Sequence, residues 1–290
     1  MTGIHLRIER EYNGGMDTPA NLTPEPRRWP IRLPRTLWIG TAMLVSVFAV
    51  ALIGRGLYSL SAMGQINTYN TEMFYAQMSK LKAGEAHDIY LYDTNGTDAL
   101  LKELRKMPEV EELNLELTDA TDEGMRHVAT LPKLHDLVLY GGRPRVGDRG
   151  LMYLRTCITV ETLTLKNTDV TDHGLVALKE LPALKSLTLH RDAFRERIIT
   201  DAGLIHLKRL ANLRSLALTG GWVTDAGLCH LNGIATLRSL LLEGTNVTDA
   251  GLQNLKGLTT LENLDLRGTQ VTDAGVAELK RVLPGLTIEK

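Results

Sequence analysis

The segment Val-Thr-Asp-Ala-Gly occurs three times, beginning at Val223, Val247 and Val271, so that Thr224, Thr248 and Thr272 lie 24 residues apart. A fixed period of this length marks a chain built by stacking one small unit on the next, because so short a unit cannot bury its own apolar face. Weaker copies begin at Thr97, Thr121, Gly147, Thr171 and Thr200. Seven full units and a partial last one therefore run from Thr97 to Lys290.

Within the unit that starts at Thr224, the apolar positions are Leu228, Leu231, Ile234, Leu237, Leu240 and Leu242. The first three are spaced by three, as on one face of a helix, and the last two by two, as on one face of a strand. The consensus TDAGLxxLxxLxxLxxLxLxGTxV resembles a leucine-rich repeat of the helix-containing kind found in ribonuclease-inhibitor-like and F-box-associated solenoids. That resemblance covers about two-thirds of the chain and implies a right-handed α/β coil, with a curved parallel sheet inside and helices outside. Spacing alone leads to the same curvature: strands stack at ~4.8 Å whereas packed helices need ~8–10 Å, so the helical side is the longer one.

Strand centres are expected at Leu113, Leu137, Leu163, Leu187, Leu216, Leu240, Leu264 and Leu286. One period before Leu113 and Leu115 stand Ile89 and Leu91, so Ile89-Tyr90-Leu91-Tyr92 forms a first strand and brings the total to nine. Ahead of it, Asn70 to Ala83, with Met73, Phe74, Met78 and Leu81, predicts a capping helix ended by Gly84. Each Thr-Asp pair reads as a helix start, with Thr or Asp capping free N–H groups. The glycines that follow (Gly124, Gly150, Gly174, Gly203, Gly227, Gly251, Gly275) cost helix propensity and so imply close backbone packing. The aligned carboxylates from Asp98 to Asp273 form a ladder, taken as structural and not as a calcium site because each has its own helix terminus as partner.

Upstream of the repeats, an uncharged apolar run extends between Thr36 and Gly54. As a helix it rises roughly 28 Å, enough for a hydrocarbon core of ~30 Å. Arg27, Arg28, Arg32 and Arg35 precede it and only Arg55 follows closely, which predicts a cytoplasmic N-terminus and a solenoid on the other side of the membrane. A cleaved signal peptide ending at Ala62-Met63-Gly64 is the competing reading, against which stand the long leading tail and the long apolar run. Half of the ten prolines fall before residue 36, a composition suited to a disordered tail. The expected organisation is a cytoplasmic tail over 1–35, a transmembrane helix over 36–58, a linker with capping helix over 59–86 and a solenoid over 87–290.

Several classes of chemistry are excluded or disfavoured. With 33 basic and 34 acidic residues the net charge is −1, which lacks the cationic excess of a nucleic-acid binder. The two cysteines cannot build a disulfide framework, and they lie three repeats apart, beyond disulfide reach. No GxSxG, HExxH, P-loop or paired-cysteine motif is present. His127, His206 and His230 share one repeat position, but neighbouring helices would hold them too far apart to converge on a metal. No catalytic residue, cofactor or metal is expected.

The strand residues alternating with the buried leucines are more informative. Toward the first repeats they are Asp88, Tyr90, Tyr92, Glu112, Asn114, Glu116, Asp136 and Tyr140, followed by a smaller, hydroxylated middle that includes Thr164, Lys166, Thr188 and His190. Two units break the period after the strand: the turn through Arg143 and Arg145 adds two residues, and the one through Arg191, Phe194, Arg195 and Arg197 adds five. Both insertions emerge on one rim. Together with Arg149, Trp222 and the strand-end residues Tyr140, Lys166 and His190, they present an arginine and aromatic composition suited to gripping carboxylates or phosphates. The expected function is a non-enzymatic, membrane-anchored module that binds a protein or polymer in a bacterial envelope. An intracellular adaptor of the F-box-associated kind, which selects targets for ubiquitination, and a purely structural envelope protein are the alternatives.

Overall fold

The computed structural model describes residues 60–142, 145–190 and 199–290, with side chains from residue 70 onward. The expected tail and membrane span lie outside these residues. Among the described residues, no helix is long and apolar enough to cross a membrane.

Nine strands join in sequence order into one parallel sheet. They are β1 (Asp88–Tyr92), β2 (Glu112–Glu116), β3 (Asp136–Tyr140), β4 (Thr162–Lys166), β5 (Ser186–His190), β6 (Ser215–Thr219), β7 (Ser239–Leu241), β8 (Asn263–Asp265) and β9 (Thr287–Glu289). The register runs unbroken from Ile89 through Leu113, Leu137, Leu163, Leu187, Leu216, Leu240 and Leu264 to Ile288. A slip of one residue would expose every one of these side chains, so burial pins the register even where the connection carries extra residues. The steps from Leu137 to Leu163 and from Leu187 to Leu216 contain both insertions and leave the pairing unchanged.

The last strand departs from expectation. Ile288, not Leu286, pairs with Leu264. Leu286 instead repeats the turn position of Leu261, since its N–H bonds the Leu283 carbonyl as that of Leu261 bonds Leu258.

The outer layer is a mixture. Regular helices α2 (Thr97–Leu104), α3 (Asp122–Val128), α4 (Asp148–Leu154) and α8 (Asp273–Val282) stand at the two ends. Between them α5 (Asp172–Leu175), α6 (Asp225–Leu228) and α7 (Asp249–Leu252) are single turns, and Val176–Glu180, Asp201–Arg209 and Gln253–Leu255 are 3-10 helix. Leu204, Leu207 and Leu210, buried at 0%, 0% and 4% exposure, recur every three residues, a spacing that suits a 3-10 turn and that the α-helical units share at Leu101, Leu104 and Met107 and at Leu151, Leu154 and Cys157. Helices pack on helices and strands on strands along the stack, with the leucine core between the two layers.

What locks unit to unit is a polar staple. Asp225 Oδ1 accepts from the Thr248 N–H at 2.8 Å and its Oδ2 from the Thr248 hydroxyl at 2.6 Å. That hydroxyl in turn accepts from the Ala250 N–H at 3.2 Å and caps α7. The same arrangement joins Asp98 to Thr121, Asp148 to Thr171, Asp172 to Thr200, Asp201 to Thr224 and Asp249 to Thr272. Threonine thus caps its own helix, whereas aspartate reaches across to the next unit, contrary to the expectation that each carboxylate serves its own helix terminus. It also accounts for the glycines: a Cβ at Gly251 would sit 2.2 Å from Asp225 Oδ1, and one at Gly124, Gly174 or Gly227 would meet the carboxylate of the preceding unit equally closely.

The capping helix α1 spans Leu60–Ala83, ten residues longer at its start than predicted. Phe74, Met78 and Leu81 are buried while Met73 is exposed. Gly84, at φ +70°, ends it with paired bonds from the Gly84 N–H to Leu81 O and from the Glu85 N–H to Lys80 O, the left-handed glycine closure. Gln77 then substitutes for a strand on the outer edge of β1: its Oε1 accepts from the Tyr90 N–H at 2.6 Å and its Nε2 donates to the Tyr90 carbonyl at 2.9 Å.

Candidate functional site

The five-residue strands place positions one, three and five on the outer face and bury positions two and four. Parallel pairing then lines equivalent positions into rows. One row reads Tyr92, Glu116, Tyr140, Lys166, His190, Thr219, and another begins Asp88, Glu112, Asp136.

On β1 to β3 the rows converge on Glu116, flanked by Tyr92 and Tyr140. The Tyr90 hydroxyl donates to Glu116 Oε2 at 2.5 Å. This bond, with burial and the carboxylate charge adding to it, pushes the Tyr90 phenol up to about 12. Tyr92 is raised first by burial and then by the charges of Glu116 and Asp93. Even so, Tyr90 and Tyr92 remain 46% and 43% exposed. Beside them, Asn114 Oδ1 is buried and has no hydrogen-bond partner among the described residues.

Four of the residues singled out in the sequence come together in one line. Lys166 Nζ lies 4.3 Å from the centre of the Tyr140 ring, a cation–π contact. His190 Nδ1 is 2.6 Å from the Thr219 hydroxyl, and the Trp222 indole N–H donates to the Thr219 carbonyl at 3.2 Å. Arg145 is placed differently. Its side chain is only 11% exposed, its guanidinium is 3.5 Å from Asp169 Oδ1, and its Nε is buried without a hydrogen-bond partner among the described residues. Arg143, Arg191, Phe194, Arg195 and Arg197 lie outside the described residues.

At the far end of the sheet the charges satisfy one another. Arg267 Nε lies 3.0 Å from both Asp265 oxygens, its Nη2 is 2.5 Å from Oδ2, and Glu243 is 3.6 Å away. The bonds from Arg267 hold the Asp265 carboxyl below the usual range. Among the described residues no three His, Cys, Asp or Glu side chains are grouped to hold a metal ion. Cys157 is buried, and burial pushes its thiol up to about 12.

Alternation places Tyr90, Tyr92 and Glu116 on the strand face, but the insertions, not this convergence, carry the arginine and aromatic composition that marks a contact region in the sequence. The signal was available: with a 24-residue period, Tyr92, Glu116 and Tyr140 are successive occupants of one repeat position.

A family model described as Leucine Rich repeat matches residues 257–280. No curated protein matches the chain. Among solved structures, internalin C2 of Listeria monocytogenes is similar with a TM-score of 0.49 and 22% identity, over 72% of this chain and 83% of that one. A second Listeria monocytogenes internalin has a TM-score of 0.44 and 17% identity, over 73% and 69%. A leucine-rich-repeat protein of Leptospira interrogans has a TM-score of 0.43 and 14% identity, over 71% and 67%. The family match falls on one unit of an array whose sheet continues through nine strands in constant register, and the fold is accordingly a leucine-rich-repeat solenoid.

Proposed function

We propose that this chain is a membrane-anchored, non-enzymatic recognition module that binds a partner protein through the outer face of its sheet. The observation that carries this reading is the strand face itself: nine strands in register present rows of polar and aromatic side chains, with two tyrosines nearly half exposed. Extended sheets of stacked repeats suit a macromolecular surface better than a small enclosed substrate. Anchoring rests on the apolar run between Thr36 and Gly54 and on the arginines before it, which favour a cytoplasmic tail and a solenoid outside the cytoplasm, in a bacterial envelope. The intracellular adaptor fits less well, because α1 occupies most of the segment between the apolar run and β1 and packs on that strand's edge.

Protease accessibility of a C-terminally tagged protein, in intact and permeabilised cells, tests the topology when combined with carbonate extraction. A membrane-retained solenoid accessible without opening the cytoplasm is the expected result, and a cytoplasmic solenoid would overturn the anchored reading. Binding is tested by Thr164→Arg together with Thr188→Arg, register neighbours in the middle of the face. Their bulk should abolish in-cell cross-linking to a partner; a cross-linking pattern identical to wild type would remove the strand face from consideration.

A further inference from the structure

We propose that the strand face of the first three repeats takes a basic segment of its partner, seating an arginine or lysine side chain on Glu116 between the rings of Tyr92 and Tyr140. The inference rests on the recognition reading above and adds the chemistry of the partner. The nine outward positions of β1 to β3 are Asp88, Tyr90, Tyr92, Glu112, Asn114, Glu116, Asp136, Val138 and Tyr140. They carry four carboxylates, three phenol rings and no basic residue.

Elsewhere several surface acids are paired. Glu161 meets Lys185, Glu262 meets Arg238, Glu278 meets Lys256, and Glu123 meets both Arg126 and Arg149. On the same sheet, Asp265 is held by Arg267. Asp88, Glu112 and Glu116, by contrast, have no lysine or arginine in ion-pair range among the described residues, and Asp136 has only His135 at 3.5 Å. Asp88, Glu112 and Asp136 are moreover direct register neighbours, and like charges side by side across strands destabilise a sheet. The fold does not require them, since β4, β5 and β6 carry Thr162, Ser186 and Ser215 in the same row. An unpaired acidic row kept against its own repulsion is complementary to a cationic partner.

The tyrosines point the same way. Aromatic faces attract guanidinium and ammonium groups, and this chain's own Lys166 already rests on one face of Tyr140. One Glu116 oxygen accepts from the Tyr90 hydroxyl, leaving the other for a charge-assisted bond. Arginine matches this combination of flat ring faces and carboxylate better than lysine does.

The test is fluorescence anisotropy of the full-length protein with a labelled Gly-Arg repeat peptide, and with a Gly-Glu repeat peptide as its counterpart. Saturable binding of the basic peptide is expected, weakened on the order of tenfold by Glu116→Gln and severalfold by Tyr92→Ala. It should be unchanged by Glu180→Gln, on the outer layer beside Lys179. Glu112→Gln is the second probe should Glu116→Gln fail to fold by circular dichroism. Equal losses for Glu116→Gln and Glu180→Gln would reveal non-specific attraction and overturn the inference, as would preference for the acidic peptide. In cells, a partner cross-link abolished by the Thr164→Arg/Thr188→Arg pair but untouched by Glu116→Gln would overturn the inference while leaving the recognition reading intact. A cross-link indifferent to both would remove that reading as well.

Discussion

Removing the Asp225 side chain should reverse the sign of a second substitution one unit away, Gly251→Ala. In the native chain the carboxylate receives two bonds from Thr248, at 2.8 and 2.6 Å, and Gly251 leaves it room. Hydrogen bonds to a charged acceptor contribute about 1.5–3 kcal/mol each when well buried; at this partly buried site, Asp225→Ala should cost about 2–4 kcal/mol for the pair. Gly251→Ala alone adds about 1 kcal/mol of helix propensity. Its Cβ, however, would stand 2.2 Å from Oδ1 and 3.0 Å from Cγ, so the carboxylate must leave and most of the staple is lost. A net destabilisation of about 1–3 kcal/mol follows. In the Asp225→Ala background those two atoms are gone and the nearest remaining neighbour is Leu228 Cδ1 at 3.1 Å, the end of a flexible side chain. There Gly251→Ala should stabilise by up to about 1 kcal/mol. Urea unfolding of the four chains of this cycle, followed by far-ultraviolet circular dichroism, measures the coupling. Equal destabilisation by Gly251→Ala in both backgrounds would refute the claim that the glycine exists to admit the neighbouring carboxylate.

Leu117 holds a left-handed backbone at φ 53° and is 39% exposed, a conformation that glycine adopts freely; Leu117→Gly should therefore stabilise by about 0.5–1 kcal/mol in the same unfolding assay, and a loss of stability would contradict the strain. Iodoacetamide at pH 8 should alkylate exposed Cys229 in the native protein and spare Cys157, whose buried thiol is pushed up to about 12; mass spectrometry showing equal adducts would indicate a looser core. Because the folded Tyr90 phenol titrates above its ordinary value of 10, the unfolded chain loses this proton first as pH rises. The stability it contributes is complete below pH 10 and declines toward about 12. Tyr90→Phe should flatten that decline in thermal melts taken between those two pH values, and an unchanged pH slope would show that the bond to Glu116 does not form.

The repeat period made the sheet legible almost to the residue. Leucines at strand positions two and four recur with nothing to compete for their meaning, so eight of the nine expected strand centres, from Ile89 to Leu264, fall where the alternation placed them. The ninth, placed at Leu286, lies two residues short of the period, which leads from Leu264 to Ile288, the residue that pairs. The outer layer was half legible. Three-residue apolar spacing signals a helix face, but the α-helical units and the 3-10 helix Asp201–Arg209 share it, so it does not separate the two helix types. The aspartate staple was hidden for another reason. A Thr-Asp pair before a helix has an adequate local explanation, and nothing local in one unit shows that the carboxylate belongs to the next.

That division of labour says where function can reside in such a chain. Within most units the leucines belong to the core, threonine and aspartate to the staple, and glycine to the space the staple needs. The outward strand positions carry none of these duties, and their occupants vary widely: Asp88, Glu112 and Asp136 give way to Thr162, Ser186 and Ser215 with no change in register. A side chain at such a position is therefore not explained by the fold. Where neighbouring occupants repel one another, as the three carboxylates do, stability would favour their replacement by hydroxyls of the kind found on the next three strands. Their presence beside three tyrosines is what the proposed cationic partner would account for.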